Sequence, residues 1–106
     1  MKHEMCIILT TTASEAEAKN IATRMVESGM AACVQISAPG TSIYRWDGAI
    51  QQEQEFYLAI KTTSEAVAAA CNWLEKHHPY ETPEIICLKG NAGAAYMQWL
   101  IDQTTG

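Results

Sequence analysis

Basic residues are scarce in this chain: seven Lys and Arg stand against twelve Asp and Glu, for a net charge of -5 over 106 residues. Those present, including Lys19, Arg24, Arg45, Lys61, Lys76 and Lys89, are scattered. An acidic chain without a basic cluster repels phosphate backbones, so no nucleic-acid partner is expected. Long apolar runs are missing as well. Nothing approaches the ~18 consecutive apolar residues of a membrane helix. The start, Met1-Lys2-His3-Glu4-Met5, has neither the apolar region nor the cleavage site of a secretory leader. The expectation is a cytoplasmic protein with no membrane partner. The four cysteines, Cys6, Cys33, Cys71 and Cys87, form no CxxC pair, which argues against structural zinc and thioredoxin-type redox chemistry. Each lies among apolar neighbours and reads as a small buried hydrophobe with a free thiol. Nucleophile-elbow, P-loop and metalloprotease motifs are absent. An enzyme using His78, Tyr80 and Glu81 is therefore the weakest reading, and the chain is expected not to be an enzyme.

What is present is one alternating pattern. Apolar residues make up 48 % of the chain, enough for one core in a single domain, residues 1–106. The continuous apolar run Met5–Leu9 reads as a strand buried on both faces, ended by Thr10-Thr11-Thr12. Ser14 followed by Glu17 is a capping box opening a helix, with Ala18, Ile21, Ala22, Met25 and Val26 at helical spacing and Gly29 closing it. A second strand over Ala32–Ser37 is interrupted at Pro39-Gly40 and resumes over Thr41–Trp46. Asp47-Gly48 marks a two-residue hairpin turn, and the return strand runs from Ala49 to Thr62. Its stretch Gln51–Glu55 is polar, so the hairpin is longer than a small core needs and part of it projects. Thr62 is the candidate cap of a second helix, with Glu65 three residues on, whose stripe is Val67, Ala70, Cys71 and Leu74 and which Pro79 stops near His78. Glu84–Lys89 forms a last strand. Asn91 and Gly93 make a turn, and Tyr96, Trp99 and Leu100 mark a C-terminal helix.

The order is βαββαβ plus a terminal helix, which gives an α+β, ferredoxin-like fold with a long hairpin between its second and third strands. Right-handed crossovers put the two main helices on one sheet face. The other face and the hairpin are left to be covered by another chain, so a homo-oligomer is expected.

Four stretches then carry a resemblance: Ala31-Ala32-Cys33-Val34, Ser42-Ile43-Tyr44-Arg45-Trp46-Asp47-Gly48, Lys61-Thr62, and His77-His78-Pro79-Tyr80-Glu81-Thr82-Pro83-Glu84. In order and spacing the chain resembles the CutA family of divalent-cation tolerance proteins from about Met5 to Leu100. The resemblance implies a PII-like homotrimer with no established catalysis. It also implies a link to tolerance of copper and other divalent cations, with copper binding in some members. There the ligands are a cysteine at the end of the first strand and paired histidines before the Pro-Tyr. The histidines carry over to His77 and His78, the expected metal residues, with Cu2+ as the expected ion. The cysteine does not, because its position is Thr10, and Cys6 lies roughly 13 Å back along the strand.

Imidazole binds copper only when neutral. Neighbouring helical residues point ~100° apart, so two adjacent rings share one ion only where Pro79 lets the helix end. The plain alternative is a solvated histidine pair at a helix terminus. Glu81 and Glu84 could complete a site but read more simply as solvated charges. Tyr44, Trp46, Tyr57 and Tyr80 offer aromatic surface for a subunit interface or for a ligand cleft between subunits. A trimeric signalling or scaffold module binding a small ligand or a partner protein in such clefts is the alternative function. Finally, Met1-Lys2-His3 has the amine, amides and imidazole of a square-planar Cu(II) or Ni(II) site.

Overall fold

The computed structural model describes residues 4–104, so the Met1-Lys2-His3 terminus lies outside the described residues. The first strand, β1 (Met5–Thr12), is longer than the apolar run alone suggests. Thr10, Thr11 and Thr12 do not end it but pair with Leu58, Tyr57 and Phe56, since β-branched threonine sits well on a pleated surface. Helix α1 (Glu15–Glu27) begins where the capping box places it: Ser14 Oγ accepts from the Glu17 N–H at 3.1 Å. It closes at Ser28, before Gly29 at φ 77°.

The interrupted second strand is in fact two. β2 (Cys33–Ile36) pairs with residues 58–61, and β3 (Gly40–Trp46) pairs with residues 49–55. Gly40 stands at the break because a Cβ there would lie 2.7 Å from Cε2 of Tyr57. Asp47 and Gly48, with φ 50° and 78°, turn the chain with both residues left-handed, as a tight hairpin requires. The return strand β4 (Ala49–Thr63) is 15 residues long. It runs through Thr62, which is therefore not a helix cap; its hydroxyl donates to the Met30 carbonyl at 2.7 Å. The ladder to Cys6 and Met5 holds residues 62 and 63 extended. Thr63 Oγ1 then accepts from the Ala66 N–H at 3.2 Å, and helix α2 (Val67–His77) follows. The last strand, β5 (Ile86–Gly90), starts two residues later than expected, where Ile86 meets Leu9. Helix α3 (Ala94–Gln103) completes the chain.

All strand pairs are antiparallel, in the order β2-β4-β1-β5 with β3 extending β4. Residues alternate between faces. On one face Ile8, Leu58 and Ile60 pack with Ala18, Ile21 and Met25 of α1 and Ala70 and Leu74 of α2. On the other, α3 covers one end through Met97 and Leu100, against Met5 and the partly buried Ile7. Leu88, Ile86 and Tyr57 of that face stay 49 %, 44 % and 37 % exposed. So β1 is not fully buried on both faces within one chain: Ile7 and Leu9 are half-buried. Tyr96 and Trp99 of α3 are exposed too. Of the cysteines only Cys6 is buried; Cys33 and Cys71 are half-buried and Cys87 is exposed, because β5 is an edge strand. No described helix is long and apolar enough to cross a membrane.

Candidate functional site

The two neighbouring histidines at the end of α2 are held in opposite ways. Pro79 disfavours helical backbone in the residue before it, and His78 accordingly leaves the helix with φ -70° and ψ 138°. That turn sends its ring inward, where the residue is 8 % exposed. His78 Nε2 lies 2.8 Å from the Thr11 carbonyl, and Nδ1 lies 3.1 Å from the Tyr80 amide nitrogen. A carbonyl only accepts and an amide N–H only donates. The ring is therefore neutral, with its proton on Nε2 and its lone pair on Nδ1 already taken. Burial, only partly offset by the bond to Thr11, lowers its pKa and agrees with that state.

His77 remains on the helix and exposed. Its Nδ1–H donates to the Trp73 carbonyl at 2.9 Å, one turn back. Its ring stacks on Trp73 at 4.5 Å and 19°. Arg24 covers the same indole at 4.8 Å. With Nδ1 carrying the proton, the lone pair of a neutral His77 is on Nε2, which has no partner among the described residues. As folded, the pair thus offers one free imidazole lone pair, not two. Thr10, where the resemblance leads one to expect a cysteine, is 1 % exposed on the helix-covered face, and its hydroxyl has no hydrogen-bond partner among the described residues. Among the described residues no three His, Cys, Asp or Glu side chains gather as a metal cluster.

A second constellation lies beside His78. Glu55 is 8 % exposed, and its Oε2 accepts from Tyr80 Oη–H at 2.7 Å and from Thr11 Oγ1–H at 3.0 Å. Burial works to raise its pKa, but the hydrogen bonds from Ser42, Tyr80 and Thr11 prevail and hold the carboxyl below its usual range. Burial and the bond to Glu55 push the Tyr80 phenol up, so it stays a donor. Glu55 borders a cleft of about 590 Å³ that Tyr44, Trp46, Glu53, Glu81 and Glu84 also line. Glu81 and Glu84 therefore belong to the cleft wall. Glu55 does not stand out in the sequence, where it reads as the end of a polar run. The available signal was its two-residue spacing from Tyr57, which places both on the sheet face opposite Phe56.

The fold and these two sites define a small mixed α+β protein with an antiparallel sheet, three helices and an acidic, aromatic-lined cleft beside a histidine-bearing helix end. Residues 6–103 match the family model described as CutA1 divalent ion tolerance protein, and the chain belongs to that family. Divalent-cation tolerance protein CutA of Yersinia pestis (strain Pestoides F) is 36 % identical over 95 residues, covering 89 % of this chain and 80 % of the relative. The structure of CutA from Synechococcus elongatus PCC7942 superposes with a TM-score of 0.91 at 42 % identity, covering 96 % of this chain and 91 % of that one. The same cyanobacterial protein complexed with a Bis-Tris molecule gives 0.88 at 40 % identity, covering 96 % and 95 %.

Proposed function

We propose that this chain acts as a cytoplasmic, non-enzymatic divalent-cation tolerance protein, a ferredoxin-like PII-type homotrimer whose leading ion is copper. Family membership supports the link to divalent ions, and the half-exposed Ile86, Leu88 and Tyr57 face supports assembly. The observation that carries the metal reading is His77. Metal-ligating histidines characteristically donate their other ring N–H to a carbonyl, and His77 already does so to Trp73. It is the residue that would hold the ion first. His78 joins only by giving up the Tyr80 amide that occupies its Nδ1 lone pair, while its Nε2–H can stay on the Thr11 carbonyl. An imidazole site without thiolate favours Cu(II) over Cu(I).

Calorimetry on trimeric protein with His3→Ala as background tests this. Cu(II) affinity should fall most in His77→Ala, less in His78→Ala, and no further in the double variant than in the worse single one. Thr10→Cys should strengthen Cu(I) binding. Unchanged copper affinity in the double variant rejects the site.

A second reading rests on the cleft: a buried carboxylate with no ion-pair partner among the described residues, beside aromatic side chains, suits a small polar cation. A related protein is known complexed with Bis-Tris. A ligand bound there should raise the melting temperature, and Glu55→Gln should abolish that rise.

A further inference from the structure

Cys71 on α2 and Cys87 on β5 have their sulfurs 3.0 Å apart. Both are free thiols. Cys87 lies opposite Ile8 in the β1–β5 ladder, so it points to the helix-covered face where α2 packs. A disulfide has an S–S length of about 2.05 Å, so closure requires about 1 Å of approach. Nothing in the metal or cleft readings uses this pair. We infer that Cys71 and Cys87 are a reversible modification site, a dithiol that exchanges with low-molecular-weight disulfides of the glutathione type and fastens α2 to the edge strand β5.

The order of events follows from access. Cys87 is exposed and meets the reagent first. Its thiolate attacks one sulfur of the small disulfide, forming a mixed disulfide and releasing one small thiolate. Burial first, and then the neighbouring Cys87, push the Cys71 thiol up to about 12. Once the Cys87 thiol is capped, that second cause is gone. Cys71 then gives its proton to solvent and attacks Cys87 Sγ, displacing the second small thiolate. Two electrons pass to the reagent, which leaves as two thiols, and the two cysteines are joined. The closed loop spans residues 71–87. It carries His77, His78 and Tyr80, so oxidation tethers both ends of the segment that builds the candidate sites.

The test uses the full chain equilibrated in glutathione redox buffers, quenched by alkylation and mapped by mass spectrometry. The expected product has lost two hydrogens, has no added glutathione and yields a linked Cys71–Cys87 peptide, while Cys6 and Cys33 remain alkylatable after unfolding. Cys71→Ser should instead trap a lasting mixed disulfide on Cys87, and Cys33→Ser should behave as wild type. Amide exchange across residues 78–85 should slow severalfold on oxidation and recover with reductant. The inference is overturned if wild type accumulates the same lasting mixed disulfide as Cys71→Ser, if the linked peptide joins other cysteines, or if four thiols persist across the whole redox series. Reading the outcome by mass in wild type keeps the test valid even where a serine variant folds poorly.

Discussion

The two halves of β4 are one continuous strand in very different company. Residues 56–63 are flanked by β1 on one edge, and residues 58–61 by β2 on the other, with Leu58 and Ile60 at 1 % and 0 % exposure. Residues 49–55 pair with β3 alone, and Ile50 and its neighbour on the ribbon, Ile43, are 60 % and 66 % exposed. A lone two-stranded ribbon is marginal in water. The outer half persists because it continues a well-anchored strand and because its turn, Asp47-Gly48, fits the strand twist. The change of partner falls between Glu55 and Phe56, where β3 starts and β1 ends. That junction is where the buried carboxylate sits: the inner half supplies rigidity, the outer half supplies the cleft wall, and the site forms at their meeting.

The largest effect that would break this contrast lies in the core. Ile60→Ala should cost about 2–5 kcal/mol per chain, as buried large-to-small changes do. Ile50→Ala should change the stability of a single chain by less than about 0.5 kcal/mol and, in the proposed homotrimer, show instead as easier subunit dissociation on dilution. Urea unfolding at several protein concentrations separates the two, and equal losses would erase the distinction between the halves.

A smaller effect is expected at the junction. Hydrogen bonds to a charged group contribute about 1.5–3 kcal/mol, so Tyr80→Phe should lower stability by up to that amount at neutral pH. Glu55 has a folded pKa below its unfolded value of about 4.3. Its contribution is therefore fully present above that unfolded value and is lost as pH falls through the folded one. In Tyr80→Phe, part of this acid-sensitive stability should already be missing. Stability measured from pH 6 down to pH 2 should then fall less steeply than in wild type. An unchanged acid limb would mean that the phenol does not support the carboxylate.

What the sequence discloses and what it hides divide along the range of the interaction. Helix α1 is legible because Ser14 and Glu17 are three residues apart and settle its start locally. The hairpin is legible because Asp47-Gly48 carries its own backbone demand. The start of α2 is misread because Thr62 satisfies a local capping pattern but is claimed by a ladder to Cys6. Glu55 is hidden for the same reason: its partners Thr11 and Tyr80 lie 44 and 25 residues away and meet it only once the register of β1 and β4 is set. The family's histidine pair is legible as a motif, but its division into one outward and one inward ring depends on Pro79 acting at the exact end of the helix.

The smallest effect tests that division, at the inner end of the junction where His78 caps the Thr11 carbonyl. The folded pKa of His78 lies below its unfolded value of about 6.5, chiefly through burial. Between those two values the unfolded chain binds the proton that the folded chain refuses, so stability should fall as pH drops below about 6.5 and level off once the folded pKa is passed. His78→Gln keeps a donor for Thr11 and removes the titrating ring. It should flatten this limb, at a modest cost from the lost acceptor for the Tyr80 amide. Urea midpoints from pH 7.5 to pH 5 for wild type and His78→Gln decide it. If His78→Gln leaves the limb as steep as in wild type, the inward ring is not a group whose protonation the fold resists.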